Sequence, residues 1–221
     1  MGYFDKMDNA DVFILLDDVQ LTDSSVTQRN RVLNCNGIPT YITVAFQKEG
    51  YMQKPLREIQ LNQDVAWQKR QVDFLRGTYG KTPYFNEVWE LIQPIFTKNY
   101  ATLVEVNYAT ICLVKELLGI TTKVVWQSEM NYSHEGHKND LILNLCESVS
   151  ADVYLSGKGA QKYMNLESFK HAGIKVEFQN FIMPEYKQIY SKYFCSGLSM
   201  LDVLLNCGIK GTKKLFRNRS N

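Results

Sequence analysis

The segment Asp11–Leu16 is a continuous apolar run flanked by carboxylates. A run with no polar face suits a strand covered on both sides, as in a parallel sheet. It gives way to Asp17-Asp18-Val-Gln20, so polar groups gather where the strand should stop. Thr40–Ala45 predicts a second strand, introduced by the turn signal Asn36-Gly37-Ile38-Pro39. The same glycine-centred turn also allows Val32–Leu33 and Thr40–Ala45 to pair as an antiparallel hairpin, and the pattern leaves both arrangements open.

The middle of the chain changes period. Phe85, Val88, Trp89, Ile92 and Phe96 fall on one helical face, behind Thr82-Pro83 as N-cap and first-turn proline. A longer helix is predicted from about Ala101 to Leu118, with Val104, Ile111, Val114 and Leu118 on one side and Gly119 as its stop. Val124–Trp126 reads as a strand, Gln127–Lys138 as a polar segment, Leu141, Leu145 and Val149 as a helix, and Val153–Leu155 as a short strand. Beyond Ser156-Gly-Lys-Gly159 come a helix from near Asn165 to Ala172, closed by Gly173, and an outer strand, Ile174–Phe178. Ser199 and Asp202 have capping-box spacing before a short apolar helix, Met200–Leu205.

This alternation of helix, short strand and polar loop predicts an α/β fold. Its expected form is a mostly parallel sheet covered by helices, a Rossmann-like three-layer architecture. Residues 1–221 form one domain in this reading, with a largely helical insertion around 65–118. In that class, ligands bind beyond the carboxyl ends of the strands.

Composition narrows the function. The 221 residues are 45% hydrophobic and 22% charged, and the formal charge of +2 argues against a nucleic-acid partner. Lys210, Lys213, Lys214, Arg217 and Arg219 make the C-terminal segment basic, which predicts a frayed, solvated end. Cys35, Cys112, Cys146, Cys195 and Cys207 are scattered and lack C-x-x-C spacing, so neither a disulfide framework nor a zinc knuckle is expected. Cys112 and Cys146 fall in helical patterns as core residues, and Cys195 and Cys207 lack an activating motif. No apolar run reaches the roughly 18 residues needed to span a bilayer. No membrane insertion and a cytoplasmic location are therefore expected.

Polar residues suggest chemistry at a few places. Asp17, Asp18 and Gln20 leave the first strand, and Arg29-Asn30-Arg31 follow after a polar loop. Arginines grip phosphates or carboxylates through paired hydrogen bonds, and a strand-end carboxylate can orient an amine or hydroxyl. An internal ion pair would use the same residues. Ser156-Gly157-Lys158-Gly159 permits close backbone approach and offers a cation, with Tyr163 behind it, but it lacks P-loop spacing. A compact structural turn fits it as well. His134, Glu135 and His137 are spaced H-E-x-H, one residue short of the pair that places two imidazoles on one helix face. No metal site is expected, and His134 is left as an acid/base candidate. His171 suits a helix C-terminus.

Several blocks together resemble the WbqC-like protein family. They are Gly2-Tyr-Phe-Asp-Lys6, Ala10-Asp-Val-Phe13, Leu16-Asp-Asp-Val-Gln20, Arg29-Asn-Arg31, Tyr154-Leu-Ser-Gly157 with Gly159 and Tyr163, Pro184-Glu-Tyr186 with Gln188, and Leu198–Asp202 with Leu205-Asn206. Their order covers nearly the whole chain. The resemblance implies a role in bacterial surface-polysaccharide assembly, O-antigen included, through acyl or aminoacyl transfer to amino sugars. It implies a ligand site at Asp17 or Asp18, Gln20, Arg29, Asn30, Arg31, Ser156, Gly157, Gly159, Tyr163, Gln188 and Asn206. The family's usual His-Gln-Pro segment and Pro-Trp turn do not precede Gly2 here; if that histidine binds substrate or catalyses, the expectation is an impaired protein, a replacement by His134, or a start that the given sequence lacks.

Taken together, these readings lead to an expected transferase that adds an acyl or aminoacyl group to a nucleotide-linked amino sugar. Arg29, Arg31 and Lys158 would address donor or nucleotide phosphates, Asp17, Asp18 or His134 would take the proton, and Ser156 or Gln20 would hold an oxyanion. No tightly bound cofactor is expected; the activated donor, free or on an acyl or aminoacyl carrier, is a co-substrate. A homo-oligomer is compatible with this reading. The alternatives are a nucleotidyl or other group transferase, and a non-catalytic sugar-nucleotide binding or scaffold protein.

Overall fold

The computed structural model describes residues 1–22, 26–64, 66–135 and 139–219. In chain order its elements are α1 (Gly2–Asp8), β1 (Val12–Leu15), β2 (Arg29–Leu33), β3 (Pro39–Thr43), α2 (Ala66–Tyr79), α3 (Phe85–Thr97), α4 (Leu103–Leu118), β4 (Lys123–Trp126), α5 (Asn139–Ser148), β5 (Val153–Ser156), α6 (Leu166–His171), β6 (Lys175–Phe178) and α7 (Met200–Arg217). The fold is mixed α/β. The chain forms two compact units, a larger one from residues 17–120 and 183–219 and a smaller one from 2–16 and 121–182.

In the larger unit, Leu21, Leu56, Ile59 and Leu61 meet Trp67, Leu103 and Val106 in one apolar cluster. The hairpin left open by the sequence is the pairing that forms: β2 and β3 are antiparallel, with Val32 opposite Thr40 and Leu33 opposite Pro39. Asn34 closes its turn by accepting the Asn36 and Ile38 N–H groups on Oδ1 at 2.9 and 3.0 Å. Arg29, Asn30 and Arg31 therefore lie within a strand, not on a loop. Thr102 caps α4, accepting the Glu105 N–H at 3.3 Å, while Glu105 accepts the Ala101 N–H at 2.8 Å. That exchange places the helix start two residues beyond Ala101, and Gly119 ends it in the left-handed region.

Two helix expectations need correction. Thr82 donates to the Tyr79 carbonyl at 2.8 Å and caps the end of α2, so α3 begins only at Phe85. The helix after Ser199 runs on to Arg217, and its basic second half is packed, with Thr212 and Phe216 buried. A mixed sequence such as Lys210–Arg217 looks solvated when only its charges are counted. Its apolar positions nevertheless recur at helical spacing and hold it down. The helix changes direction at Gly208, whose φ of 68° and ψ of 176° are open essentially to glycine alone. A Cβ there would also lie 2.5 Å from Tyr84 Cδ1.

In the smaller unit, β1 pairs with β4 and β5 with β6, both in parallel. The β5–α6–β6 crossover buries Phe169 and Ile174 against Cys146 of α5. The strand pairs are three separate two-stranded ladders. No described helix is long and apolar enough to cross a membrane.

Gly208→Ala combines a forbidden backbone conformation with a clash, so it should destabilise the protein by about 2 kcal/mol or more. Urea unfolding measures this; a loss below about 0.5 kcal/mol would mean that the bend in α7 tolerates a side chain.

Candidate functional site

The first polar block belongs to the larger unit, and its side chains are largely occupied. Arg57 holds Asp18, with Nη2 2.7 Å and Nε 2.8 Å from Oδ1, and also reaches Glu58 at 3.0 Å. Asp17 is buried, and its carbonyl accepts the Arg57 N–H at 2.9 Å. The Arg29 guanidinium sits 4.3 Å from the centre of the Tyr41 ring. Arg31 donates to the Gly197 carbonyl at 3.2 Å, and its own carbonyl accepts the Ser199 N–H at 2.7 Å. Asn30 is exposed and turns back onto the Arg31 N–H; Gln20 is exposed beside Pro55.

Gln188 and Asn206, both expected substrate-binding residues, bond the nearby backbone. The Gln188 amide donates to the Cys195 carbonyl and accepts its N–H, each at 2.8 Å, closing the intervening loop. Asn206 accepts the Ile189 N–H at 2.8 Å and donates to Asp202. Both side chains bond backbone that no ladder satisfies.

Beneath them lies a group absent from the expected site. Asp202 is fully buried, and the Tyr79 and Tyr186 hydroxyls donate to its two oxygens, the second at 2.6 Å. The Leu33 N–H donates to the Tyr79 hydroxyl at 3.0 Å, tying the hairpin to the same point. Asp202 therefore does not complete the predicted capping box, although Ser199 accepts the Leu201 N–H at 3.3 Å as N-cap. Burial raises the Asp202 pKa, and the tyrosine, Leu33 and Asn206 hydrogen bonds offset part of the rise. Burial and then the Asp202 charge push both tyrosines far above their ordinary range. Burial, followed by the same charge, takes the Cys207 thiol to about 11, so it is protonated at neutral pH and a poor nucleophile.

The second block belongs to the smaller unit and is more open. Ser156 ends β5 at the carboxyl end of a parallel pair, and a short 3-10 turn, Lys158–Lys162, follows. The Ser156 hydroxyl is buried and completes no hydrogen bond within normal limits. It lies on the same strand face as Tyr154, and a weak hydrogen bond to the Tyr154 hydroxyl offsets part of the upward shift that burial gives that group. Lys158 donates to the Asn180 side chain at 2.6 Å, just beyond the end of β6. A Cβ on Gly157 would stand 3.5 Å from Lys6 Nζ, so this turn carries amines from two elements. Burial holds the Lys6 pKa below the ordinary lysine value. Gly159 has open space around it, and Tyr163 is 79% exposed.

In sequence a lone lysine on a short helix reads as solvated, and only its place in the Gly2–Lys6 block singles out Lys6. His134 is exposed and leans on the Tyr132 ring at 4.3 Å. His137 lies outside the described residues, and His171 ends α6 as expected. Among the described residues no group of three His, Cys, Asp or Glu side chains gathers as metal ligands.

These features define a mixed α/β protein with a serine–glycine–lysine turn at the end of a parallel strand. The chain belongs to the WbqC-like protein family, whose profile matches residues 1–214. It is 29% identical over 209 residues to Uncharacterized protein Rv1507c of Mycobacterium tuberculosis (strain ATCC 25618 / H37Rv), covering 94% of this chain and 88% of that protein. No solved structure matches it.

Asp202→Asn tests the buried network through linkage. A raised native pKa means that the folded state holds its proton to higher pH than the unfolded state, so this residue's contribution falls as pH rises above 3.8. The stability difference between wild type and Asp202→Asn should therefore shrink between about pH 4 and pH 7 in urea melts. A difference that grows with pH would show the ionised carboxylate to be the favoured native form.

Proposed function

We propose that the chain is a transferase of surface-polysaccharide assembly, moving an acyl or aminoacyl group from an activated donor to the amine of a nucleotide-linked amino sugar. The observation that supports this reading most is the buried Ser156 hydroxyl with no completed hydrogen bond, at a strand end flanked by Lys158 and Lys6. A hydroxyl donor in a water-poor site suits an oxyanion, and two ammonium groups suit the anionic part of a donor or nucleotide. In this reaction the sugar amine attacks the donor carbonyl carbon and the Ser156 hydroxyl donates to the oxygen that gains charge. The leaving group departs with its bonding electrons, and His134 takes the proton lost by nitrogen. Asp18 is an inferior base because its carboxylate is already bonded to Arg57.

In the same reading the smaller unit is Rossmann-like, supported by its two parallel pairs and helical crossover. The protein would work in the cytoplasm on diffusible co-substrates, without a tightly bound cofactor.

Mass spectrometry of reactions pairing nucleotide-linked amino sugars with acyl and aminoacyl donors tests the proposal. One acyl mass should be added to the sugar, and Ser156→Ala and Lys158→Ala should each cut the rate at least about tenfold. Ser156→Ala should lower the unfolding midpoint only slightly, because it removes at most a weak hydrogen bond to Tyr154. No added mass in any pairing would reject transfer; undiminished rates in both variants would reject this site.

A further inference from the structure

The larger unit commits several buried polar groups to one loop, residues 183–199. Asp202 holds Tyr186, Asn206 holds the Ile189 N–H, and Gln188 locks Cys195 from both sides. Ser191 donates to the Tyr193 carbonyl at 2.6 Å, and the Phe194 ring meets Tyr186 edge-on at 5.4 Å. Tyr190 sits at a φ of 65°, a left-handed conformation unusual for a bulky residue. Its carbonyl lies so close to the hairpin turn that a Cβ on Gly37 would be 2.3 Å away. A strained loop this strongly over-determined is held in one shape for a purpose other than connection.

Its outward side chains indicate the purpose. Residues 185–188 and 191–194 line a shallow, open depression of about 380 Å³. Tyr193 on its wall is 86% exposed, an aromatic ring left in water on a rigid support. Lys187 and Lys192 line the same cavity, are exposed, and form no salt bridge among the described residues. Glu185 adds a carboxylate able to accept hydroxyl groups.

We infer that this loop is a binding site for a nucleoside diphosphate or its sugar ester, with the base or sugar ring stacked on Tyr193 and the diphosphate between Lys187 and Lys192. Aromatic stacking tolerates any base, and two cations match the charge of a diphosphate. The expected ligands Gln188 and Asn206 are positioning residues that keep this face assembled. The site stands whether or not group transfer occurs in the smaller unit.

Isothermal titration of the full chain with UDP, ADP and inorganic pyrophosphate tests it. Both nucleotides should bind at least about tenfold more tightly than pyrophosphate, because only they have a ring to stack. Tyr193→Ala, and separately Lys187→Ala with Lys192→Ala, should each weaken nucleotide binding about tenfold or more, with unchanged unfolding midpoints because all three residues are exposed. Any of three results would overturn the inference: no nucleotide binding at millimolar concentration, equal binding of pyrophosphate, or undiminished binding in the loop variants.

Discussion

The larger unit is organised around the need to satisfy one buried carboxyl group. Asp202 has no exposure to water, so the hydrogen bonds that solvent would supply must come from the protein. They come from separate parts of the chain: Tyr79 at the end of α2, Tyr186 at the start of the 183–199 loop, and Asn206 one turn along α7. Tyr79 also takes the Leu33 N–H, so the end of the β2 strand is set by the same group. A displacement of α2, the hairpin or the loop would leave a buried polar atom without its partner. Such networks are stabilising only when complete, which makes these elements interdependent.

That interdependence changes the meaning of several polar residues. Gln188, Asn206, Arg31 and Asp18 have the functional groups a ligand site would require, but each is bonded within the protein. Polar side chains near irregular backbone face two demands, from the backbone itself and from any ligand, and a side chain meeting the first has less capacity for the second. Capacity remains in the smaller unit at the Ser156–Gly159 turn, and on the outer face of the loop at Lys187, Lys192 and Tyr193. The supporting residues make the loop face rigid without contributing to it directly. Pre-organisation of this kind reduces the ordering needed when a ligand arrives.

The sequence alone determined whatever depends on neighbours along the chain. Apolar runs and periodicity located β1, β4, β5, β6 and the bodies of α3, α4 and α5, and Gly119 and Gly173 marked real stops. The hairpin turn was readable because Asn34 and Gly37 act within a few residues. The family was also legible, since its blocks are linear and span the chain. Tertiary structure decided what rests on distant partners. Tyr79 and Asp202 are 123 residues apart, and nothing local reveals that the carboxylate receives tyrosine hydroxyls instead of completing a capping box. Only folding placed Lys6 of α1 beside Gly157, and only packing turned the basic C-terminal segment into the second half of α7. The physical reason is range: backbone conformation and amphipathic pattern are set within a helical turn or a strand, whereas burial and hydrogen-bond satisfaction depend on the partners that the assembled fold supplies.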